Sequence, residues 1–407
     1  MFVSVVGFLG YYDGTRYITF PAPVILGLQM LGLMIAVTRH PIQMLRFQAG
    51  LFPLIALASW AGLTVLWADD QSIALKRWLM IFVPGILLAL LAAADEKPSR
   101  SFGFVKWLFV AITIASYVFS LSIYAFGDIT AVNEPMRIRI VELGGWTIGV
   151  SEGGRQYLDL NLYIHRFSGF TSNPNSFALF AGLSAIALCA TLKRQLGLRG
   201  FLEIATFVVI LIILVLSASR AAVAMALAGI VVVILLRTDR RGLTRLCVVG
   251  VMALACLLYL ALFIRGEVST QTSAEVFELR ERADIWRLAL SAISHVWLTG
   301  VGFGLTQEAV FAPLGTQSSA HSVPLSMLLE TGLVGLLLLL VTWFLPVFSL
   351  TKANRQLDRT SIAIVALLIA LFVHQVIDSS VFRYHWAHFV FVYLIGASSH
   401  LAQQGRD

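Results

Sequence analysis

One long apolar segment, interrupted near its middle by a single arginine, places the strongest constraint on this chain. The segment covers residues 201–236, and Arg220 lies within it in the sequence Ser217-Ala-Ser-Arg220. As one helix, about 36 residues at about 1.5 Å each would far exceed the roughly 30 Å of a bilayer's hydrocarbon core. The segment therefore predicts two short membrane spans joined by a tight turn at Arg220. Because an arginine at bilayer depth costs roughly 3 kcal/mol, we expect its charge to be used at that membrane face.

The composition extends this reasoning to the whole chain. Of the 407 residues, 58% are hydrophobic and only 13% are charged, which is typical of polytopic helical membrane proteins. The three cysteines lie inside apolar segments, so neither a disulfide nor a cysteine metal site is expected. The net charge of +7 comes mostly from Lys and Arg in short loops, and nucleic-acid binding is not indicated. We therefore expect an all-α polytopic fold with residues 1–407 as a single integral membrane domain.

Apolar segments and charged interruptions predict about twelve transmembrane helices. They cover residues 1–10, 18–37, 48–67, 78–94, 107–126, 174–192, 201–216, 221–236, 246–264, 323–348, 361–376 and 386–399. Alternate loops hold most of the Lys and Arg, and the positive-inside rule places these loops in the cytoplasm. Both termini are then cytoplasmic, and Arg220 faces the other side. The first span is the weakest because it is short, and its loss would move only the N-terminus.

Two large loops are predicted on the extracytoplasmic side, residues 127–173 and 265–321. In the first, polarity alternates on both sides of Gly144-Gly145, which predicts a small hairpin that could act as a lid. In the second, apolar residues recur at nearly helical spacing over residues 276–298, among charged residues. This pattern predicts an amphipathic helix, best placed flat on the membrane surface. Packing of the same helix on the bundle is the alternative that the pattern leaves open.

His321 is the strongest candidate for a reacting side chain. Ser322 is a good N-cap, Pro324 suits a first helical turn, and a long apolar span follows. The positive end of the helix dipole would then disfavour the imidazolium, so the ring is expected to stay neutral and able to accept a proton. A neutral histidine beside water can act as a general base. An interfacial histidine without a chemical role remains the alternative.

Arginines on the same predicted face are candidates for anion binding. Arg220 and Arg282 would each offer a fixed fork of donors to phosphate oxygens. Weaker candidates for this role are Arg287, Lys76 and Arg77. Contact with lipid head groups or a local ion pair is the alternative in each case. That alternative is serious for Arg282, because Glu278 precedes it by four residues.

Three further patterns complete the candidate residues. Asn173-Pro174-Asn175 opens a span, and its helix end could hold an anion or a sugar hydroxyl, although capping alone explains it equally well. Glu330 lies inside a span, where a carboxylate is costly, so we expect a structural hydrogen-bonding role. Gly300-Val-Gly302-Phe-Gly304 resembles a dinucleotide loop without a surrounding βαβ unit, and a flexible turn is expected. Because no His, Cys, Asp or Glu cluster has metal-ligand spacing, neither a metal nor another cofactor is expected.

A set of short motifs occurs in order between residues 166 and 335. They are Arg166-Phe-Ser-Gly169-Phe with Asn173-Pro174-Asn175, Ser217-Ala-Ser-Arg220, Arg282-Ala-Asp-Ile-Trp286, Gly300-Val-Gly302, and His321-Ser322 followed by Glu330-Thr-Gly332-Leu-Val-Gly335. Together they resemble the O-antigen ligase and polymerase superfamily of bacterial envelope enzymes. The ligase pattern of His, then Asn, Ser or Gln, then nine residues and Gly is met by His321, Ser322 and Gly332. Many polymerase-like relatives have Asn after the His.

The resemblance implies a metal-independent glycosyltransferase with a C-type membrane fold. It would lie in the bacterial inner membrane with its active site facing the periplasm. The donor would be a polysaccharide on undecaprenyl diphosphate, and the acceptor the lipid A-core oligosaccharide of lipopolysaccharide. His321 matches the family's essential histidine, and Arg220 and Arg282 match its essential arginines. Arg166 and Asn175, from the first motifs, join the candidate substrate-binding residues.

Two alternatives to an O-antigen ligase stay open. The first is an O-antigen or exopolysaccharide polymerase of the same superfamily. The second, from another class, is a transporter or flippase of a lipid-linked or anionic solute. A transporter is expected to show internal repeat symmetry and a charged path across the membrane. No repeat is visible in this sequence, and its ionisable candidates cluster toward the predicted outer face.

Overall fold

The computed structural model describes residues 49–126, 128–133, 136–143, 146–157, 162–166, 174–192, 197–217, 219–238, 274–314, 319–353, 357–383 and 385–404. The spans predicted at 1–10, 18–37 and 246–264 lie outside these ranges. Among the described residues, six helices are long and apolar enough to cross a membrane, and two shorter apolar helices cover Phe52–Trp67 and Asn175–Thr191. A polytopic helical membrane protein is thus confirmed, whereas the count of about twelve spans stays a prediction.

The described helices follow the predicted spans closely. They are α1 (Phe52–Leu63), α2 (Gln71–Ala93), α3 (Pro98–Phe126), α4 (Pro174–Thr191), α5 (Leu198–Leu216), α6 (Arg220–Arg237), α7 (Ala274–Val296), α8 (Val323–Ala353), α9 (Arg359–Ile377) and α10 (Trp386–Gln404). The long apolar segment forms two helices, as its length predicted. α5 ends at Leu216 and α6 begins at Arg220.

Between α3 and α4 in the sequence, the chain forms a four-stranded sheet. Its strands are β1 (Asp128–Asn133), β2 (Met136–Leu143), β3 (Trp146–Tyr157) and β4 (Leu162–Arg166). All neighbours pair antiparallel in the order β1-β2-β3-β4. The predicted turn at Gly144-Gly145 falls between β2 and β3 in the sequence and lies outside the described residues. The alternating polarity thus predicted strands correctly, but the sheet is a meander of four strands rather than a single hairpin.

The chain divides into two compact units. The first unit contains α3 to α6, the sheet and most of α9, and the second contains α1, α2, α7, α8 and α10. Each unit includes helices long enough to cross a membrane. The single integral membrane domain therefore stays a prediction.

In the first unit, small residues let α4 and α6 run side by side. Gly182 of α4 faces Met225, and Gly229 of α6 faces Ile186, so the contacts advance along both helices in the same direction. The two helices therefore begin at the same end of the unit. This agrees with the predicted topology, in which both spans start from the same side of the membrane.

Basic residues from three predicted cytoplasmic stretches meet at the opposite end of this unit. Arg237 donates to the Ala190 carbonyl at 2.9 Å. Lys106 donates to the Thr191 hydroxyl at 3.1 Å, and Arg359 donates to the Thr191 carbonyl at 3.4 Å. All three bind the C-terminal end of α4, where unpaired carbonyls and the helix dipole favour cations. Their convergence is consistent with the assignment of these stretches to one membrane face.

In the second unit, α8 is packed against α1 and α10, and α2 runs along α10. Trp343 of α8 and Phe391 of α10 are both fully buried, with ring centroids 4.3 Å apart. Aromatic pairs of this kind bury a large apolar area in a defined geometry. This packing holds the C-terminal part of α8 while its N-terminal part carries the candidate residues.

The predicted amphipathic helix is α7, and it packs on protein. Trp286 and Ala289 are buried against Phe311 and against Leu325 and Leu329 of α8. The side chains of α7 are described from Asp284 onward, and over that part the apolar face contacts the second unit. Over this part of α7 the alternative, packing on the bundle, is what the structure shows, while the position of the helix relative to the membrane surface stays a prediction. Helical spacing cannot distinguish the two because both bury the same stripe.

Candidate active site

α8 is broken at Gly332, which has φ 68° and ψ −169°. We call residues 323–331 the first half-helix and residues 333–353 the second half-helix. A Cβ atom at Gly332 would lie 2.0 Å from the Leu298 carbonyl oxygen, so a side chain is excluded by contact as well as by backbone conformation. The break is therefore fixed by the close approach of a neighbouring backbone.

Neighbouring segments satisfy the backbone groups that the break leaves unpaired. The replacing hydrogen bonds run from Val301 N–H to the Leu329 carbonyl (2.9 Å), from Gly302 N–H to the Glu330 carbonyl (2.9 Å), from Leu333 N–H to the Trp297 carbonyl (2.7 Å) and from the Trp60 indole to the Thr331 carbonyl (2.8 Å). Non-helical backbone at membrane depth is tolerated where protein satisfies it or where it lines a cavity. Discontinuous helices of this kind commonly form substrate sites in membrane proteins.

Residues 300–304, which we call the glycine loop, are inserted beside this break. Gly300, Gly302 and Gly304 all have positive φ, and a Cβ at Gly300 would lie 2.3 Å from the Glu330 carbonyl carbon. The N–H of Phe303 donates to the Thr64 hydroxyl at 2.9 Å, and Phe303 is fully buried. The expectation of a flexible turn was wrong. The loop is packed closely between α8 and the residues that follow α1, and its glycines allow this close approach.

His321 lies immediately before the first half-helix. The Ser322 hydroxyl accepts a hydrogen bond from Leu325 N–H (3.4 Å), and the Ser322 carbonyl accepts one from Ser326 N–H (2.9 Å). The predicted N-cap is thus confirmed. His321 is half-buried and has φ 45°, a left-handed conformation that is uncommon for a residue with a side chain. Such positions cluster at functional sites, where the surroundings enforce them.

α7 holds the segment that leads to His321. The Trp286 indole donates to the Ala320 carbonyl at 2.7 Å, and this bond is buried. Arg282 lies on α7 one helical turn before Trp286, although its side chain is outside the described ones. Arg287 follows Trp286 and pairs with Asp284 at 3.4 Å. The structure thus places the backbone of Arg282 one turn from the contact that positions His321.

Glu330, at the end of the first half-helix, is the centre of a buried ionic contact. Its side chain is 2% exposed, and its Oε1 accepts from the Thr306 hydroxyl (2.5 Å) and pairs with Arg383 (2.8 Å). The expected hydrogen-bonding role is confirmed. Because a buried carboxylate without such partners is costly, the break depends on Arg383 being in place.

The turn between α9 and α10 presents Arg383. The Gln375 side-chain oxygen accepts from the N–H groups of Ser380 and Val381, both at 2.8 Å, and its nitrogen donates to the Ser380 hydroxyl at 2.7 Å. All three residues are buried. These bonds fix the turn before Arg383, so its guanidinium is preorganised for Glu330.

Arg77 of α2 holds the other side of the glycine loop. Its guanidinium donates to both carboxylate oxygens of Glu308, at 2.7 and 2.9 Å, and to the Gly304 carbonyl. The hydrogen bonds from Arg77 hold the pKa of the Glu308 carboxyl below its usual range. The fork that was predicted to bind phosphate is therefore directed at Glu308 in this structure. Lys76, its neighbour, is exposed.

Sequence reasoning missed Thr306, Glu308 and Arg383 as parts of this region. Arg383 had a detectable signal, since it lies in a short loop on the face that the positive-inside rule depletes. A carboxylate inside a span also requires a cationic or hydrogen-bonding partner, which Glu330 finds in Arg383. Together these two facts would have predicted an ion pair between Glu330 and Arg383.

The remaining candidates lie in the first unit. Arg220 is exposed and is the first residue of α6, and Asn175 is half-buried in the first turn of α4. Phe177 and Ala222, which follow them, share one buried cluster, so the two helix starts are neighbours. Arg166 is the last residue of β4. Arg220 and Asn175 thus lie at the same end of this unit.

Comparison with known proteins gives one family match. Residues 205–340, about a third of the chain, match the family model described as O-Antigen ligase. A chain from a solved structure, described as the structural coordination of polymerization and crosslinking by a peptidoglycan synthase complex, aligns with 88% of this chain and 97% of its own length, at 19% identity and a TM-score of 0.43. No curated protein matches this sequence significantly. The family match includes Arg220, Arg282, His321 and Glu330.

Proposed function

We propose that this chain, about a third of which matches the O-Antigen ligase family model, belongs to that superfamily and transfers a polysaccharide from undecaprenyl diphosphate to a lipid A-core oligosaccharide. It acts in the bacterial inner membrane with its active site facing the periplasm and both termini in the cytoplasm. The observation that carries the proposal is the discontinuous helix α8, which begins two residues after His321 and of which residues 323–340 lie within the family match. The reaction needs no metal or other cofactor.

The chemistry is a substitution at the anomeric carbon of the donor. The acceptor hydroxyl oxygen forms the new glycosidic bond while the bond to the carrier's phosphate oxygen breaks, and its electron pair leaves with undecaprenyl diphosphate. His321 accepts the proton of the attacking hydroxyl. Attack opposite the leaving group inverts the anomeric centre. Negative charge grows on the departing diphosphate, so guanidiniums directed at it stabilise the transition state more than the bound donor.

The geometry around His321 supports its role as the base. Its backbone is held by the Ser322 cap on one side and by the Trp286 bond to Ala320 on the other. The N-terminal end of the first half-helix lies beside it, where the helix dipole favours the neutral ring. A base that is positioned before substrate binds loses little entropy in the reaction.

Arg220 and Arg282 are the proposed diphosphate ligands. Arg220 begins α6, where the unpaired amide groups of the first turn add to its attraction for an anion. Arg282 lies on α7 near the contact that positions His321. Further substrate contacts are assigned to Arg287, Lys76, Asn175 and Arg166. Arg77 is given a positioning role, because its guanidinium binds Glu308 and the Gly304 carbonyl.

Arg220→Lys is expected to lower the transfer rate by roughly tenfold or more, because a compact point charge replaces a planar fork at a developing diphosphate charge. The rate is measured with purified enzyme in detergent, together with donor binding. Arg199→Lys is the matched control, since Arg199 is exposed near the start of α5 and pairs weakly with Glu203 at 3.8 Å. Near-normal turnover of Arg220→Lys would indicate that Arg220 contacts only lipid head groups and does not bind the diphosphate.

Deletion of the gene in its host distinguishes the ligase from its alternatives. For a ligase, we expect long glycan chains to accumulate on the carrier lipid, unattached to the lipid A-core. A polymerase would instead leave single repeats capping the core, an outcome that the same family match allows. Carrier-linked glycan confined to the cytoplasmic leaflet would show that the chain is a transporter. Lipopolysaccharide gels and carrier-lipid extracts separate the first two results, and cleavage of the carrier-linked glycan by an enzyme added to intact spheroplasts reports its leaflet.

A further inference from the structure

The exposure of α8 changes at its break. Within residues 323–331 no residue is exposed, so protein encloses the first half-helix. Along the second half-helix, exposed apolar side chains recur at Leu333, Leu337, Val341, Leu345 and Phe348. Spacings of three and four residues place them on one face of the helix. The lipid-facing stripe of α8 therefore begins at Leu333.

The second half-helix is long enough to cross a bilayer alone. Residues 333–353 at about 1.5 Å each measure roughly 31 Å, which matches a hydrocarbon core of about 30 Å. The first half-helix adds roughly 14 Å that the membrane does not require. Length and exposure thus agree on where the hydrocarbon ends along α8.

A turn beside the break exposes two large apolar side chains. Trp297 is 51% exposed and Leu298 is 50% exposed, and both follow the end of α7 directly. The Trp297 carbonyl accepts the N–H of Leu333, so this turn lies at the first residue of the lipid-facing stripe. Tryptophan prefers the membrane interface, where its ring contacts apolar chains while its N–H stays near water.

The end of α1 shows the same boundary independently. Leu66 and Trp67 are exposed apolar residues, and Asp69 and Asp70 follow, both exposed. Trp67 lies 5.9 Å from Trp60 between ring centroids, and the Trp60 indole donates to the Thr331 carbonyl at the break. A change from exposed apolar rings to carboxylates within three residues marks the point where the chain leaves the bilayer.

We infer that the hydrocarbon boundary of one leaflet runs at the level of the α8 break, and that residues 297–299 and Trp67 dock into phospholipid at that interface. His321, at the far end of the first half-helix, then lies outside the hydrocarbon within the protein-enclosed part of the second unit.

Nitroxide labels test the boundary without a transfer assay, so its failure is distinct from failure of the proposed function. The native cysteines are first replaced by serine. Leu298→Cys, Leu337→Cys and Asp69→Cys are then made one at a time, labelled, and reconstituted into phosphatidylcholine and phosphatidylglycerol vesicles. Collision rates with oxygen, which enriches in lipid, and with a water-soluble nickel chelate are then measured. We expect the oxygen-to-nickel ratio to be highest at Leu337, several-fold lower at Leu298, and lowest at Asp69. Equal ratios at Leu298 and Asp69 would overturn the inference.

Tryptophan fluorescence provides a second measurement on the chain with its native cysteines. Vesicles of lipids brominated near the head group should quench the wild type more than Trp297→Phe, because the substitution removes a ring at the interface. Bromines near the chain ends should show a smaller difference between the two proteins. No difference with either lipid would place Trp297 in water and contradict the inference.

Discussion

His321→Ala is expected to lower the rate of glycan transfer by roughly 10²- to 10⁴-fold, the range that a positioned general base contributes. The substitution removes the proton acceptor and retains the Ser322 cap and the Trp286 bond to Ala320, neither of which involves the imidazole. Donor binding should change little, because the diphosphate is assigned to arginines. The rate is measured with purified protein at saturating donor, and donor affinity by competition.

His400→Ala is the control for removing a histidine elsewhere in the second unit. Its ring contacts the Ala93 carbonyl at 3.0 Å, at the junction of α10 and α2, and no role in transfer is assigned to it. We expect His400→Ala to retain transfer. Normal glycan attachment by His321→Ala would remove the general-base proposal, whereas equal losses in both variants would indicate a structural effect.

Arg383→Ala is expected to destabilise the protein by about 3–5 kcal/mol, the cost of leaving a buried charge without its partner. Glu330 is 2% exposed and would keep only the Thr306 hydroxyl among its two side-chain contacts. The ion pair joins the first half-helix to the turn before α10, so its loss should also loosen the break. Denaturant unfolding in detergent measures the free-energy difference.

Two variants show whether the stranded charge causes this effect. Glu330→Gln combined with Arg383→Met removes both charges at similar volume and should recover most of the lost stability, since no ion is left unpaired. Arg199→Ala breaks an exposed pair with Glu203 and should cost less than about 1 kcal/mol. If Arg383→Ala is as mild as Arg199→Ala, the contact with Glu330 does not support the break.

The membrane spans were predictable because the bilayer imposes a length and a polarity that the sequence must satisfy locally. The division at Arg220 followed from the excess length of residues 201–236, and the Ser322 cap followed from a side chain that bonds within its own turn. The common end of the first unit at which α4 and α6 begin agreed with the topology obtained by counting spans. Each of these features depends on residues that are close in sequence.

The break in α8 could not be predicted, because it depends on pairing between distant backbone segments. In the sequence, Gly332 is one glycine in an apolar span, and nothing local shows that the Leu298 backbone packs against it. The partner of Glu330 is Arg383, which lies in the turn between the next two helices and is distant in sequence. The prediction for the glycine loop was wrong for the same reason. Gly300 has a positive φ and lies against the Glu330 backbone, which is distant in sequence. The apolar face of α7 is visible in the sequence, whereas the protein surface that covers it is not.

Transfer between defined components in vesicles tests the proposed reaction most directly. Purified wild-type protein is incubated with undecaprenyl-diphosphate-linked glycan and lipid A-core in the presence of EDTA. Release of undecaprenyl diphosphate and the appearance of glycan on lipid A-core are followed together by mass spectrometry. We expect equal amounts of both products, with inverted configuration at the new bond. Donor that binds but yields neither product, or activity that EDTA abolishes and a divalent cation restores, would contradict a metal-independent transferase.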